Sequence, residues 1–243
     1  MNPRLLLFLS LIGVTVSILV SGGGGGRGRF DDDSRHYSGG GDSSDSGDNS
    51  HEHHPHPHRP PRPNPPRELT KCPDSWILFK RPQGNWCVGL YVAQVSQPVA
   101  ETRCRDVGAT LTGLQSDQER QQLASAGQQM ALKHNFGDAA IWLGARRKGS
   151  CLRAGMCQPR ETFFWTDNHT TGNDGFGWST GQPDGVWSNV WGVQACAHQF
   201  VFASGTTHPR WPGIPHGALD DQYCQEGNIN PNAKLFACGK KAV

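Results

Sequence analysis

Large apolar residues are spread unevenly along the 243-residue chain, and their spacing predicts where it folds. Leu5–Val20 is an apolar run interrupted by Ser10, Thr15 and Ser17. From 22 to 70 the large apolar side chains are Phe30, Tyr37 and Leu69. So few cannot offset the entropy of ordering the chain, which predicts a disordered stalk. Beyond residue 70 periodic patterns appear. One helical stretch runs from about Pro98 to Val107, with Cys104 inside it. A second runs from Ser116 through Leu123 to about Met130, opened by the Ser116/Glu119 capping-box pattern. Between them GATLTGL predicts a short strand or turn. After residue 138 come short apolar runs: AAIWLG (139–144), TFFWT (162–166), ACAHQFVF (195–202) and KLFACG (234–239). Long loops separate them, and they read as short strands. Helices first and strands afterwards predict one α+β domain over 71–243.

The apolar run at the N-terminus is sixteen residues long and follows Arg4. A membrane span needs roughly twenty, and the small residues Ser21 and Gly22 suit cleavage, so residues 1–21 read as an export signal. An uncleaved anchor is the rival reading. No other stretch is apolar enough to span a membrane, and a secreted, extracellular protein is expected. Eight cysteines, at 72, 87, 104, 151, 157, 196, 224 and 238, agree with an oxidising compartment. They imply four disulfides, with about a hundred possible pairings. Asn168-His169-Thr170 is an N-glycosylation acceptor pattern. A net charge of +2 gives no reason to expect a nucleic-acid partner.

Within the stalk, His51, His53, His54, His56 and His58 form a cluster able to chelate zinc or copper loosely, a solvated spacer being the plainer reading. Ser46-Gly47, between Asp45 and Asp48, resembles a glycosaminoglycan attachment context. The block RPPRPNPPR (59–67) predicts a stiff, extended segment.

Several signatures stand in a fixed order: Cys104, GATL, Ser-x-x-Glu, Ile141-Trp142-Leu143-Gly144, Phe164-Trp165-Thr166-Asp167, Gly177-Trp178, Gln182-Pro183-Asp184, Cys196, Asp220-Asp221-x-x-Cys224 and Phe236-x-Cys238. Together they resemble the C-type lectin-like domain over nearly all of 72–238. The resemblance implies a disulfide-stapled double-loop fold with two helices and short antiparallel sheets. It pairs Cys104 with Cys238, Cys196 with Cys224 and Cys72 with Cys87, leaving Cys151–Cys157 as a local staple.

In sugar-binding members of that family a Ca²⁺ ion bridges the protein to two sugar hydroxyls, with residues flanking a cis-proline among its ligands. Calcium takes six to eight oxygens at about 2.3–2.6 Å. Carried onto this chain, the ligands would be Gln182, Asp184, Gln194, Asp220 and Asp221. Gln194 stands where the family usually has Glu, and Asp220 where it usually has Asn, so the two changes leave three carboxylates. Gln-Pro-Asp goes with galactose or N-acetylgalactosamine in this family, and Trp187 is the candidate to stack on the apolar sugar face. Trp191 is a poorer one. The sugar-binding set expected is therefore Gln182, Asp184, Trp187, Gln194 and Asp220, with glycans as partners. Leu219 departs from the Trp usual before the Asp pair, and a long insertion separates Cys196 from Cys224.

The stalk alone suggests a purely structural extracellular-matrix module, and two other classes compete. A calcium-independent lectin-like domain binding a protein or lipid is one. The other is an enzyme using His198, His208 and His216 with Asp220, or Ser188. None of these stands at a nucleophile or ligand spacing, so a non-catalytic binding protein is expected. Nothing in the pattern is a coiled coil, and the oligomeric state is left open.

Overall fold

The computed structural model describes residues 71–207, 212–227 and 229–243. The signal, the stalk with its histidines and Ser46, and also His208 and Trp211, lie outside the described residues. The described part belongs to the unit Arg62–Val243.

The chain enters through a hairpin, β1 (Ile77–Phe79) and β2 (Trp86–Val92). Helix α1 spans Gln97–Asp106 with Pro98 in its first turn, and β3 is Thr110–Leu111. Helix α2, Asp117–Lys133, is capped by Ser116, whose side chain accepts from the Glu119 N–H at 3.3 Å. The Glu119 carboxylate reaches back to the Gln115 N–H and to Arg81, so the reciprocal half of the capping box is redirected into the core. Strand β4 is Asp138–Arg147 and β5 Phe163–Trp165. A two-stranded hairpin follows, β6 (Trp187–Ser188) and β7 (Gly192–Val193). Then come β8 (Cys196–Phe202), β9 (Leu219–Gln222) and β10 (Leu235–Lys241).

The main sheet has the order β1-β2-β10-β4-β8-β9, with β3 beside β10 and β5 beside β4. The sheet differs from the all-antiparallel expectation at one place: β10 and β4 run parallel, with Leu235 opposite Ile141 and Phe236 opposite Trp142. The two ends of the domain meet, since the backbones of Lys71 and Val243 exchange hydrogen bonds at 3.2 and 3.1 Å. The bridges are Cys72–Cys87, Cys104–Cys238, Cys151–Cys157 and Cys196–Cys224.

Alternation along β4 and β8 explains the core. Ile141, Leu143, Ala197 and Val201 face α2, packing with Leu123, Ala124, Leu219 and Leu235. Trp142 points the other way, into a second cluster with Cys104, Leu111 and Phe236, and its indole N–H reaches the Val95 carbonyl at 2.8 Å. Each such fully buried side chain contributes about 1.5–3 kcal/mol. The helix lies close on the sheet because Gly127 has no side chain; a Cβ there would meet Ile141 at 2.7 Å and Val201 at 2.9 Å. Leu219, smaller than the expected Trp, is fully buried, and Trp178 packs against the same cluster. Among the described residues no helix is long and apolar enough to cross a membrane.

Candidate functional site

The site is built where the loop between Trp178 and Cys196 folds over the ends of β4, β8 and β9. Within it the Gln182–Pro183 peptide is cis. Gln182 Oε1 accepts the Asp184 N–H at 2.9 Å, and Gln182 Nε2 lies 3.5 Å from Asp184 Oδ2. The two flanking side chains are therefore adjacent.

Asp221 anchors this loop. It is fully buried on β9. Its Oδ1 accepts the Asp184 N–H at 3.1 Å, and its Oδ2 accepts the Gly185 N–H at 2.9 Å. Oδ2 also receives a short ion-paired hydrogen bond from Arg147. Arg147, at the end of β4, is itself buried. It donates to the Gln194 carbonyl at 2.7 Å and the Cys151 carbonyl at 2.8 Å, and it lies over the Phe163 ring. One guanidinium thus ties together β4, the Cys151 loop, the approach to β8, and β9. Gly185, at φ +63, leaves room for it, since a Cβ would come within 3.2 Å of the guanidinium. Burial pushes the Asp221 carboxyl up, and Arg147 and the Gly185 N–H pull it back only partly.

Asp220 points the other way, its side chain 19 % exposed. Burial, then the charges of Asp221 and Asp184, push its carboxyl up to about 7. Its neighbour His198, 3.7 Å away, is held by burial down to about 3 and is neutral near pH 7, so the contact is not an ion pair there. The folded state keeps the Asp220 proton between the ordinary carboxyl value of 3.8 and about 7, where the unfolded chain has lost it. The Asp220 contribution to stability is then greatest at low pH, declines as pH rises through that window and is flat above it. Asp220→Asn is expected to remove this decline, so that its melting temperature gains on the wild type between pH 4 and 7. Parallel melting profiles for the two proteins would contradict this.

The five residues carried over by resemblance have different partners. Gln182 and Asp220 line a cavity of about 530 Å³ together with Gln222, Asn230 and Asn232. Phe200 and Ile214 give it an apolar side. Gln194 turns toward Gln222, 3.4 Å away. Trp187 is 69 % exposed and lines a different cavity, of about 350 Å³. Trp191 places its backbone N–H on Ser188 Oγ. Among the described residues no group of three or more His, Cys, Asp or Glu side chains is placed to hold a metal ion. The five-oxygen calcium cage does not fit this arrangement. Asp221 already receives three donors, one of them a cation, and Gln182 Oε1 spends one of its two lone pairs on the Asp184 N–H.

Of the residues of the catalytic reading, His198 lies beside Asp220, 3.7 Å away, while Ser188 and His216 are engaged elsewhere. Ser188 Oγ accepts from the Val190 and Trp191 N–H groups, and His216 Nδ1 accepts from Phe202 N–H at 3.0 Å. Asn168 is exposed in a left-handed turn, with φ 55, whereas Thr170 Oγ1 donates to Asp167 at 2.6 Å. Arg147, Gln222, Asn230 and Asn232 were not singled out from the sequence. The last two sit in the stretch NINPN, which reads as a plain turn, and an arginine ending an apolar strand reads as surface.

The cow CD23 C-type carbohydrate-recognition domain, in a structure determined with a GlcNAc2Man3 oligosaccharide, shares 18% identity with this chain at a TM-score of 0.46, covering 72% of this chain and 98% of its own. The mouse scavenger receptor C-type lectin carbohydrate-recognition domain shares 20% at 0.43, covering 71% and 100%. Human lithostathine shares 16% at 0.45, covering 75% and 99%. No curated protein sequence matches the chain. The sequence profile of the family described as C-type lectin domain-containing protein 141/158 matches residues 79–240, two-thirds of the chain. The chain therefore belongs to this C-type lectin domain family.

Proposed function

We propose that this is a secreted, non-catalytic carbohydrate-binding protein whose sugar seat is the cavity between the cis-proline loop and β9. The observation that carries this is the lining of that cavity. Gln182, Gln222, Asn230 and Asn232 offer amide donors and acceptors, Asp220 offers a carboxylate, and Phe200 and Ile214 offer an apolar wall. Adjacent sugar hydroxyls need paired donors and acceptors, and the C–H face of a pyranose needs an apolar surface, so this lining matches a polyol. In this reading the loop is organised by Arg147 and Asp221 rather than by a metal, and the hydroxyls are held directly.

One observation favours a second reading, a calcium-bridged seat of galactose type. After burial, the charges of Asp221 and Asp184 add to the rise of the Asp220 carboxyl, and a cation would relieve that part of it. It requires Asp221 to give up Arg147. Titration of the full-length chain with a galactose-terminated oligosaccharide, in chelator and then in millimolar calcium, separates the two. Binding in both conditions is expected at about pH 8, where Asp220 is ionised, and weakened about tenfold or more by Asp220→Ala, because a hydrogen bond to a charged group is worth about 1.5–3 kcal/mol. Binding in calcium alone would establish the bridge instead. If a wide panel of neutral glycans gave no binding in either buffer, both readings would fall, and a protein or lipid ligand would replace them.

A further inference from the structure

Beside the polar cavity lies a second one of about 350 Å³, lined by Leu152, Arg153, Gly185, Trp187 and Val193. Its two walls are held independently. The Cys151–Cys157 disulfide closes the loop that carries Leu152 and Arg153, and the Cys151 carbonyl is fixed by Arg147. The opposite wall is the β6–β7 hairpin, in which Trp187 pairs with Val193 and its ring lies 3.8 Å from the Cβ position of Gly192. The indole is 69 % exposed and Leu152 49 %. Arg153 makes no ion pair or side-chain hydrogen bond among the described residues. The cavity therefore presents an aromatic face and an uncommitted cation on supports that do not depend on a ligand.

We propose that this cavity is a second saccharide subsite, taking an acidic sugar unit, carboxylated or sulfated, with its ring on Trp187 and its anionic group on Arg153. The assignment rests on the reading of the polar cavity as a sugar seat and extends it. Charge is divided across the loop: Asp220 lines the first cavity and Arg153 the second. Gln182 lines the first and Gly185 the second. Three residues of extended backbone span at most about 11 Å, so the two cavities suit neighbouring units of one glycan chain. A planar guanidinium matches carboxylate and sulfate oxygens in pairs, and an indole face matches the C–H side of a pyranose.

The test uses the full-length chain and three probes: a neutral galactose-terminated disaccharide, the same disaccharide sulfated, and glucuronate alone. Affinities come from titration, and the Trp187 indole N–H resonance, assigned through Trp187→Phe, reports local occupancy. The sulfated probe is expected to bind roughly tenfold more tightly than the neutral one, with the advantage fading above about 0.5 M salt. Arg153→Gln should erase that advantage while leaving the neutral probe unchanged, and glucuronate should shift the Trp187 resonance. Both side chains are exposed, so neither variant endangers folding. Equal binding of neutral and sulfated probes, or an advantage that survives Arg153→Gln, would overturn the subsite while the polar cavity stands. A glucuronate shift without any neutral binding would keep the subsite and remove the polar cavity as a seat. Silence from all three probes would remove both.

Discussion

Replacing Arg147 by methionine is expected to lower stability by about 3–5 kcal/mol, because it leaves Asp221 buried without its cation. For a domain of this size that is a fall of about 10 °C in Tm. The loss should not stay local. Asp221 fixes the Asp184 and Gly185 N–H groups, and Arg147 also fixes the carbonyls of Gln194 and Cys151. Proteolysis and hydrogen exchange should therefore rise in the 182–195 loop before the sheet responds. The paired change Arg147→Met with Asp221→Leu removes both charges and should recover much of the loss. The calcium response is the more informative readout. In the wild type, millimolar calcium is expected to leave the Tm unchanged. In Arg147→Met, where Asp221 is freed beside Asp184 and Asp220, calcium should raise it, since a ligand that binds only the folded state stabilises it. A wild-type Tm that climbs with calcium, and collapses in chelator, would show that the arginine does not fill the organising role.

The second large effect is expected at Arg81, which lines neither cavity. Its side chain has no solvent exposure. It donates to both oxygens of Glu119 at 2.8 and 2.7 Å, to the Gly113 carbonyl at 3.1 Å and to Thr170 Oγ1 at 3.0 Å. It thus joins the turn after β1, the start of α2 and the loop at Asp167–Thr170. Arg81→Met should cost about 3–5 kcal/mol, because Glu119 stays buried and retains only the Gln115 N–H. Asp167 suffers less, having its own donors from Gly113, His169 and Thr170. Denaturant unfolding measures the loss. Saccharide affinity in the folded fraction should be unchanged, which separates this residue from Arg147. An equal loss of affinity would mean that the two regions are coupled.

How far the site could be read before the structure depended on what each residue's role requires. The strands at 139–144, 195–202 and 234–239 were legible because their burial shows as short, mostly apolar runs. Strand β9 was not, because its sequence, Leu-Asp-Asp-Gln, looks like a polar loop. It is a strand because its backbone pairs with β8 and because Arg147 and two N–H groups satisfy the buried Asp221. Arg147 was invisible for the complementary reason. Its burial depends on Asp221, 74 positions away, and no local pattern carries that distance. Trp187 was expected to stack on a galactose ring, and the β6–β7 hairpin places it in the smaller cavity with Gly185 and Val193.

By itself, then, the sequence determined the α+β class, the two helices, four of the strands, the oxidised cysteine framework and the family resemblance. These follow from period, capping and composition, which act over a few residues at a time. Tertiary structure decided the parallel β4–β10 pairing, the two cavities on either side of the cis-proline loop, and the partner of each carboxylate. Those depend on which distant groups share a low-dielectric interior, where a buried charge must find its counter-charge wherever the fold brings one within reach.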